Sequence, residues 1–429
     1  MADILVLGAT GYSGRLTARY LSQHPQRSSF TLAVAGRSRS KLDALELDAG
    51  VQVFVVDVTD ETAVEELVKQ FKVIANTVGP YWRWGTPVVK ACAKHGVHYV
   101  DLTGETVWIY EIIHLFDYLA SQTRSIIIPS CGFDSVPSDA VVFLANKTLK
   151  AFSGPDSEIE NSVSAVEMKG GVAGGTLSTI TTMMEEVPKN KLALARRQYS
   201  LSPVLGQPSP PPRFHYTLPS SSPVKHGGLF LLASGNRAVV QRTWGLQQYQ
   251  LLSTSMSSVR NKALVYGPQF KYEEFLVKPN AFVAVTSSLT IAIGMFCLAV
   301  FSPVRWLFKR LVTQPGQGPP DHTLKDGSFE YTNITTSVPA PGSEPTRVRT
   351  IIRGNGDPGL LLTAAMLGES ALALALDQSR LPPLAHKGGV LTPMSALGDV
   401  LIDRLRATGD FAFDSEIVLE ETQDGKKSR

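Results

Sequence analysis

Gly8-Ala9-Thr10-Gly11-Tyr12-Ser13-Gly14 sets three glycines at G-x-x-G-x-x-G spacing directly behind the apolar run Ile4–Leu7. Glycines in such a turn let the backbone approach a diphosphate, and the helix that follows offers free N–H groups and the positive end of its dipole. The chemistry this predicts is dinucleotide binding, with Gly8, Thr10, Gly11, Tyr12, Ser13 and Gly14 around the phosphates. At the end of the next strand, an Asp or Glu would hold a ribose 2′-hydroxyl. The chain instead reads Ala35-Gly36-Arg37-Ser38-Arg39-Ser40-Lys41. Arg37 or Arg39, with Ser38, can bind a 2′-phosphate by charge-assisted hydrogen bonds, which favours NADP and leaves NAD open. Asp57, ending the third strand, has two readings: a bond to the adenine edge, or a turn cap.

These residues need a scaffold, and the first part of the chain supplies one. Uninterrupted apolar, β-branched runs at Ile4–Leu7, Phe30–Ala35, Val51–Val56, Val73–Asn76, His98–Val100 and Ser125–Ile128 read as strands covered on both faces. Helical stretches lie between them, at Leu16–Gln23, Thr62–Phe71, Pro87–His95 and Val107–Ser121. Asp60 is placed to cap the second, and Pro87 suits the first turn of the third. The alternation predicts an α/β fold whose N-terminal Rossmann domain, residues 1–150, is a doubly wound parallel sheet. Ligands of such sheets bind beyond the carboxyl ends of the strands, which puts Asn76, Gly79 and the segments 101–105 and 131–134 near the nicotinamide.

Beyond residue 150 the rhythm changes. Ser162–Lys169 reads as a strand, Gly170–Gly175 as a ligand-approach loop or a mobile turn, and Thr176–Val187 as a helix. Residues 200–228 are rich in proline and serine and read as an extended loop, as does Gln314–Pro320. Thr346–Arg353 is a strand candidate, Gly359–Leu376 a helix, and Asp424–Arg429 a frayed end. This gives a second, α+β domain at 151–355 for substrate or dimerisation, and a C-terminal return at 356–429 completing the fold.

Composition narrows the class. Charged residues are 18% of the 429, too few for a disordered or acidic-tail protein. A net charge of +3 spread along the chain argues against nucleic acid. Three scattered cysteines and no Cys-x-x-Cys pair point to a reducing, intracellular setting. No metal-ligand spacing occurs among the histidines, and the N-terminus resembles neither a secretory signal nor a transit peptide.

From Lys278 to Arg305 no charged residue intervenes, and the core of that stretch, residues 281–301, would be a helix about 31 Å long. That is close to the hydrocarbon thickness of a bilayer, and Trp306, Lys309 and Arg310 follow like an interfacial anchor. A single span would divide the chain across the membrane, so a helix or hairpin dipping into one leaflet is preferred. A buried or dimer-interface helix and a true span are the alternatives.

The ordered set of the Gly8–Gly14 turn, Ala35-Gly36-Arg37, Asn76-Thr77-Val78-Gly79-Pro80-Tyr81, Asp101-Leu102-Thr103-Gly104-Glu105 and Gly132-Phe133-Asp134-Ser135-Val136-Pro137-Ser138-Asp139 resembles the saccharopine dehydrogenase-like oxidoreductases, which include trans-acting enoyl reductases. Gly356-Asp357-Pro358-Gly359 and Gly388-Gly389-Val390-Leu391-Thr392-Pro393 match that family's later landmarks. The resemblance implies an NADP-dependent oxidoreductase acting on a lipid or acyl substrate. Its setting would be a membrane or lipid-droplet surface, with droplet, mitochondrion or plasma membrane as the location and glycolipid assembly as the bacterial context. A homodimer fits alongside it; a droplet-associated binding protein without catalysis and an amino-acid dehydrogenase are the other readings.

Reduction of an enoyl carbon needs a donor for the developing enolate and an acid for the neighbouring carbon. Tyr81, Glu105, Asp134 and Ser135 carry suitable groups. Tyr81 equally fits a packed loop, and Asp134 and Asp139 fit caps of the helix beginning near Val136. Cys131 reads as a small core residue.

Overall fold

A computed structural model describes residues 2–48, 50–171, 174–219, 221, 223–253, 259–311 and 318–418. The predicted features at Gln314–Gln317 and Asp424–Arg429, and Val172, Ala173, Ser220 and Ser222 of the predicted loops, lie outside these residues.

Two seven-stranded sheets organise the chain. The first contains β1 (Ala2–Leu7), β2 (Leu32–Gly36), β3 (Gln52–Val55), β4 (Phe71–Asn76), β5 (His98–Asp101) and β6 (Ile126–Ile128). The second draws on β7 (Ile159–Lys169), β8 (Tyr216–Thr217), β9 (His226–Gly228), β10 (Lys271–Lys278), β11 (Ser328–Ser337) and β12 (Arg347–Asn355). Near the C-terminus β13 (Gly389–Val390) returns to the first sheet and β14 (Phe411–Val418) to the second, so both sheets need the end of the chain. The first sheet has the order β13-β6-β5-β4-β1-β2-β3 and every pairing in it is parallel. It is the doubly wound arrangement, with its order reversing at β1 and β4. The second runs β14-β12-β11-β7-β10-β9-β8, antiparallel except where β7 meets β10.

The helices are α1 (Tyr12–Ser22), α2 (Arg39–Asp43), α3 (Glu61–Val68), α4 (Tyr81–His95), α5 (Thr106–Thr123), α6 (Val136–Ser153), α7 (Gly174–Glu186), α8 (Lys189–Ala195), α9 (Ala233–Ser253), α10 (Val259–Leu264), α11 (Ala281–Val300), α12 (Ser302–Leu311), α13 (Thr363–Leu376), α14 (Pro393–Ala396) and α15 (Asp399–Ala407). One apolar core runs from Ile4 and Val6 of the first sheet through Phe143 of α6 and Leu367 of α13 to Tyr331 and Phe413 of the second, so burial joins the two layers. A buried polar knot reinforces it. Glu369 of α13 accepts from Arg404 of α15 at 2.6 Å and meets His24 at 2.8 Å, binding α1 to the C-terminal helices.

Three expectations need correction. The helix expected to reach Phe71 stops at Val68, and Phe71 already pairs with Ala2 as the first residue of β4. The helix expected to start at Pro87 starts at Tyr81, with Pro87 inside it. Its opening N–H groups are satisfied by the distant carboxylate of Glu105. Asp134 and Asp139 do not cap α6, which has no side-chain cap; Asp139 instead accepts from the backbone of Met394 at 2.9 Å. Asp60 does cap α3, accepting from Ala63 at 3.0 Å.

Among the described residues, two helices are long and apolar enough to cross a membrane, and they differ in burial. Of the most apolar 18 residues, 78% are buried in the stretch Pro358–Leu376, which includes the core helix α13, but only 17% in α11. The segment 281–301 is therefore not a core helix: Phe282, Ile293, Phe296 and Val300 all lie exposed.

Candidate active site

The glycine turn has the shape a diphosphate needs. Gly8 sits at φ +86°, and a Cβ there would fall 2.7 Å from Val78 Cγ2 and 2.9 Å from Thr77 Oγ1. A Cβ on Gly14 would lie 2.2 Å from the Gly8 carbonyl oxygen, so α1 packs on the turn at glycine distance. Gly11 donates to the Gly8 carbonyl at 2.9 Å and stands at the N-cap of α1 without a capping side chain. That leaves the first-turn N–H groups, those of Tyr12, Ser13 and Gly14, facing the crevice for an anion. Thr10 closes the other side, its side chain 3.4 Å from where a Gly36 Cβ would stand. The Tyr12 ring turns away to pack on Gly318, and its hydroxyl donates to Pro319, so only its backbone serves the turn.

At the end of β2 the two arginines part. Arg39 is engaged by Asp43, while Arg37 is exposed and no carboxylate of the described residues lies within ion-pair distance of it. Ser38 caps α2, accepting from Lys41 at 3.4 Å. Asp57 accepts both the amide and the hydroxyl of Thr59, at 3.0 and 2.9 Å, and those bonds hold its carboxyl below its ordinary value. It closes its own turn, the second of its two readings.

The ends of β4 and β5 are locked by a buried network. Asn76 donates to the Tyr99 hydroxyl at 3.0 Å and accepts from Val78 at 3.0 Å; Tyr99 donates to Asp101 at 2.8 Å. Burial pushes Asp101 up to about 7, although Thr103 and Ser130 also donate to it. Tyr81 is buried, and its hydroxyl donates to the Asn76 carbonyl at 2.9 Å and accepts from Leu102 at 3.2 Å. Both its bonds are committed to backbone. Glu105, 1% exposed, accepts from Tyr81 and Trp82 at 2.8 and 2.7 Å and from Thr179 of α7 at 3.3 Å; burial nonetheless raises its pKa. It holds the Gly79–Tyr81 corner at the start of α4.

Asp134 differs from these neighbours. It follows β6, is half-buried, and lies 3.2 Å from where a Gly104 Cβ would stand. No described residue hydrogen-bonds to its carboxylate, which burial alone raises to about 6. Ser135 beside it is buried at the N-cap of α6. Cys131 is fully buried and its thiol pushed up by burial, which suits a core residue.

The sequence reading missed the wall supplied by the second sheet. Glu274 of β10 is buried and accepts from Ser138 and Tyr272, both at 2.8 Å, and from Asn236 at 2.6 Å; burial raises it to about 7. One signal pointed to it: in a strand, adjacent residues face opposite sides, so one of Glu273 and Glu274 had to face inward. Thr179 was missed as well, and nothing local marks its reach to Glu105. Among the described residues no group of three or more His, Cys, Asp or Glu is placed to hold a metal.

Comparison with known proteins bears on this geometry. A family model described as the saccharopine dehydrogenase NADP binding domain matches residues 4–125. Trans-acting enoyl reductases of Mycobacterium tuberculosis and Mycobacterium ulcerans are each 32% identical over 428 residues, covering 95% of this chain and 96% of theirs. Saccharopine dehydrogenase (L-Glu forming) from Saccharomyces cerevisiae shares the fold, with a TM-score of 0.51 at 11% identity over 98% of this chain and 100% of its own. The cofactor is NADP, and the turn around Gly8, Gly11 and Gly14 with Arg37 beyond it fits that group: one half accommodates the diphosphate, the other has a free cation for the 2′-phosphate.

Proposed function

This chain belongs to the saccharopine dehydrogenase-like oxidoreductase family, and on that premise we propose that it reduces an acyl substrate of enoyl type, drawn from an intracellular lipid surface. The relatives named trans-acting enoyl reductases support the reaction class. The observation that carries the proposal is Asp134, a half-buried carboxyl raised to about 6 and free of hydrogen bonds from the described residues, beyond the end of β6. Bound NADPH supplies the hydride. The chain supplies the rest. The first-turn N–H groups of α1 and Arg37 fix the cofactor, while Asn76, Tyr81 and Glu105 keep the strand ends rigid beneath it. Asp134, protonated over the acid half of its titration, delivers a proton to the carbon next to the acyl carbonyl. The second sheet, with the Glu274 network, walls the acyl side.

The apolar face of α11 supports the lipid source. A lipid-droplet monolayer or one leaflet of a membrane suits a helix held along the protein surface. The test is a panel of α,β-unsaturated acyl thioesters, keto-acyl thioesters and amino acids, each incubated with enzyme and NADPH or, for amino acids, NADP. NADPH consumption with the unsaturated thioesters is expected. Turnover of amino acids alone would overturn the proposal.

A further inference from the structure

The helices α11 and α12 are tied to the site through α7. Ser288 of α11 donates to Phe214 at 3.0 Å and accepts from Leu229 at 2.9 Å, seating the helix on the edge of the second sheet. Leu298, ten residues on and about 15 Å along the helix, accepts from Arg305 of α12 at 2.8 Å, and Arg305 in turn lies 3.8 Å from Glu185 of α7. These contacts seat the first half of α11 on the second sheet and tie its far end, through α12, to α7. Its outward stripe, Phe282, Ile293, Phe296 and Val300, continues into Trp306 and Leu307 of α12, all exposed. From Lys278 to Leu311 the chain has four cations and no anion. A second copy would bring the same cations against this face, whereas an anionic leaflet complements both the apolar stripe and its fringe.

Two of these cations, Arg305 and Lys309, are engaged inward. Glu185 pairs with Lys309 at 2.5 Å, and the next residue of α7, Glu186, pairs with Arg83 of α4 at 2.7 Å. Thr179, two turns back, reaches Glu105 at the start of α4. Thus α7 bridges the lipid-facing helix and the corner that carries the nicotinamide end of the crevice.

We propose that α7 is a lid released by anionic lipid: headgroup phosphates take Lys309 and Arg305 from Glu185, α7 loosens from Glu105, and the acyl chain enters beside it. This deepens the reading of the site given above and rests on it. An exposed ion pair changes an opening equilibrium by up to about fivefold, which sets the size of the effect.

The test uses the full chain with phosphatidylcholine vesicles, with or without phosphatidylserine. It reads vesicle sedimentation, hydrogen exchange of residues 174–186, and NADPH binding by calorimetry. Phosphatidylserine vesicles are expected to bind the protein and speed exchange in 174–186 about two- to fivefold, and pure phosphatidylcholine to do neither. Glu185→Gln should still sediment, but exchange fast before lipid is added and no faster afterwards. The double variant Ile293→Asp, Phe296→Asp should neither sediment nor respond. Unchanged exchange in lipid-bound wild type, or no binding to anionic vesicles, overturns the lid. Absence of NADPH binding with the lipid response intact would overturn the redox reading instead.

Discussion

Arg39 and Asp43 form an ion pair four residues apart on α2, at 2.9 Å and 3.1 Å, while Arg37, two residues earlier, is exposed with no carboxylate of the described residues in ion-pair reach. A charge-assisted hydrogen bond contributes about 1.5–3 kcal/mol, or roughly 10- to 100-fold in affinity. Arg37→Gln should therefore weaken NADPH by that factor while leaving NADH nearly unchanged. Arg39→Gln should alter neither by more than about twofold. Calorimetric titration of both cofactors checks this.

Gly14→Ala would drive a methyl to within 2.2 Å of the Gly8 carbonyl. The helix must move off the turn, at a cost of about 1–3 kcal/mol. Thermal unfolding should show the loss of stability, and NADPH titration a loss of affinity, since the N–H groups of the first turn move with the helix.

Tyr81→Phe separates a structural from a chemical role. Without the hydroxyl, the Leu102 amide and the Asn76 carbonyl lose their shared partner, at about 1–3 kcal/mol. Denaturant unfolding should report that loss, while the pH dependence of NADPH oxidation keeps its shape. A changed pH profile would make Tyr81 an acid after all.

Asp134→Asn should lower kcat by roughly 10²–10⁴-fold with NADPH affinity intact. The wild-type rate should fall as pH rises through about 6, as the carboxyl loses its proton, and the variant should lack that limb. Steady-state rates between mildly acid and neutral pH decide it.

Burial pushes the Asp139 carboxyl up to about 7 from its ordinary value of 3.8. The folded state holds the extra proton between those values, so stability is greatest at the acid end and falls as pH rises through 7. Asp101 and Glu274, also raised to about 7, act in the same direction. Asp139→Asn keeps an acceptor for the Met394 amide and removes the buried charge. It should unfold at a higher temperature than wild type at pH 8, by the equivalent of roughly 2–4 kcal/mol, with the advantage shrinking toward pH 5.

The parallel sheet was legible because its strands are covered on both faces and need no alternation: Ile4–Leu7, Val73–Asn76 and His98–Val100 all lie within observed strands. The glycine turn was legible for the same local reason. The start of α4 was not, since Glu105 caps it from 24 residues away, and no local pattern near Pro80 records that. Helix α9 was missed because Asn236, Gln241, Arg242 and Thr243 are buried in it beside Val239 and Trp244, so it has no clean apolar stripe. Arg242, for instance, donates to the carbonyl of Val390, a partner 148 residues on. The second sheet depends on pairings such as β7 with β10 and β12 with β14, whose registers only the folded chain sets.

Hydride transfer to an acyl substrate is tested most directly with NADPH deuterated at its transferable position and an α,β-unsaturated acyl thioester, analysing the product by mass spectrometry. Saturated product carrying one deuterium at the carbon β to the thioester, in step with NADPH consumed, is the predicted result. NADPH bound yet no deuterium in any acyl product, with or without anionic vesicles, would contradict it.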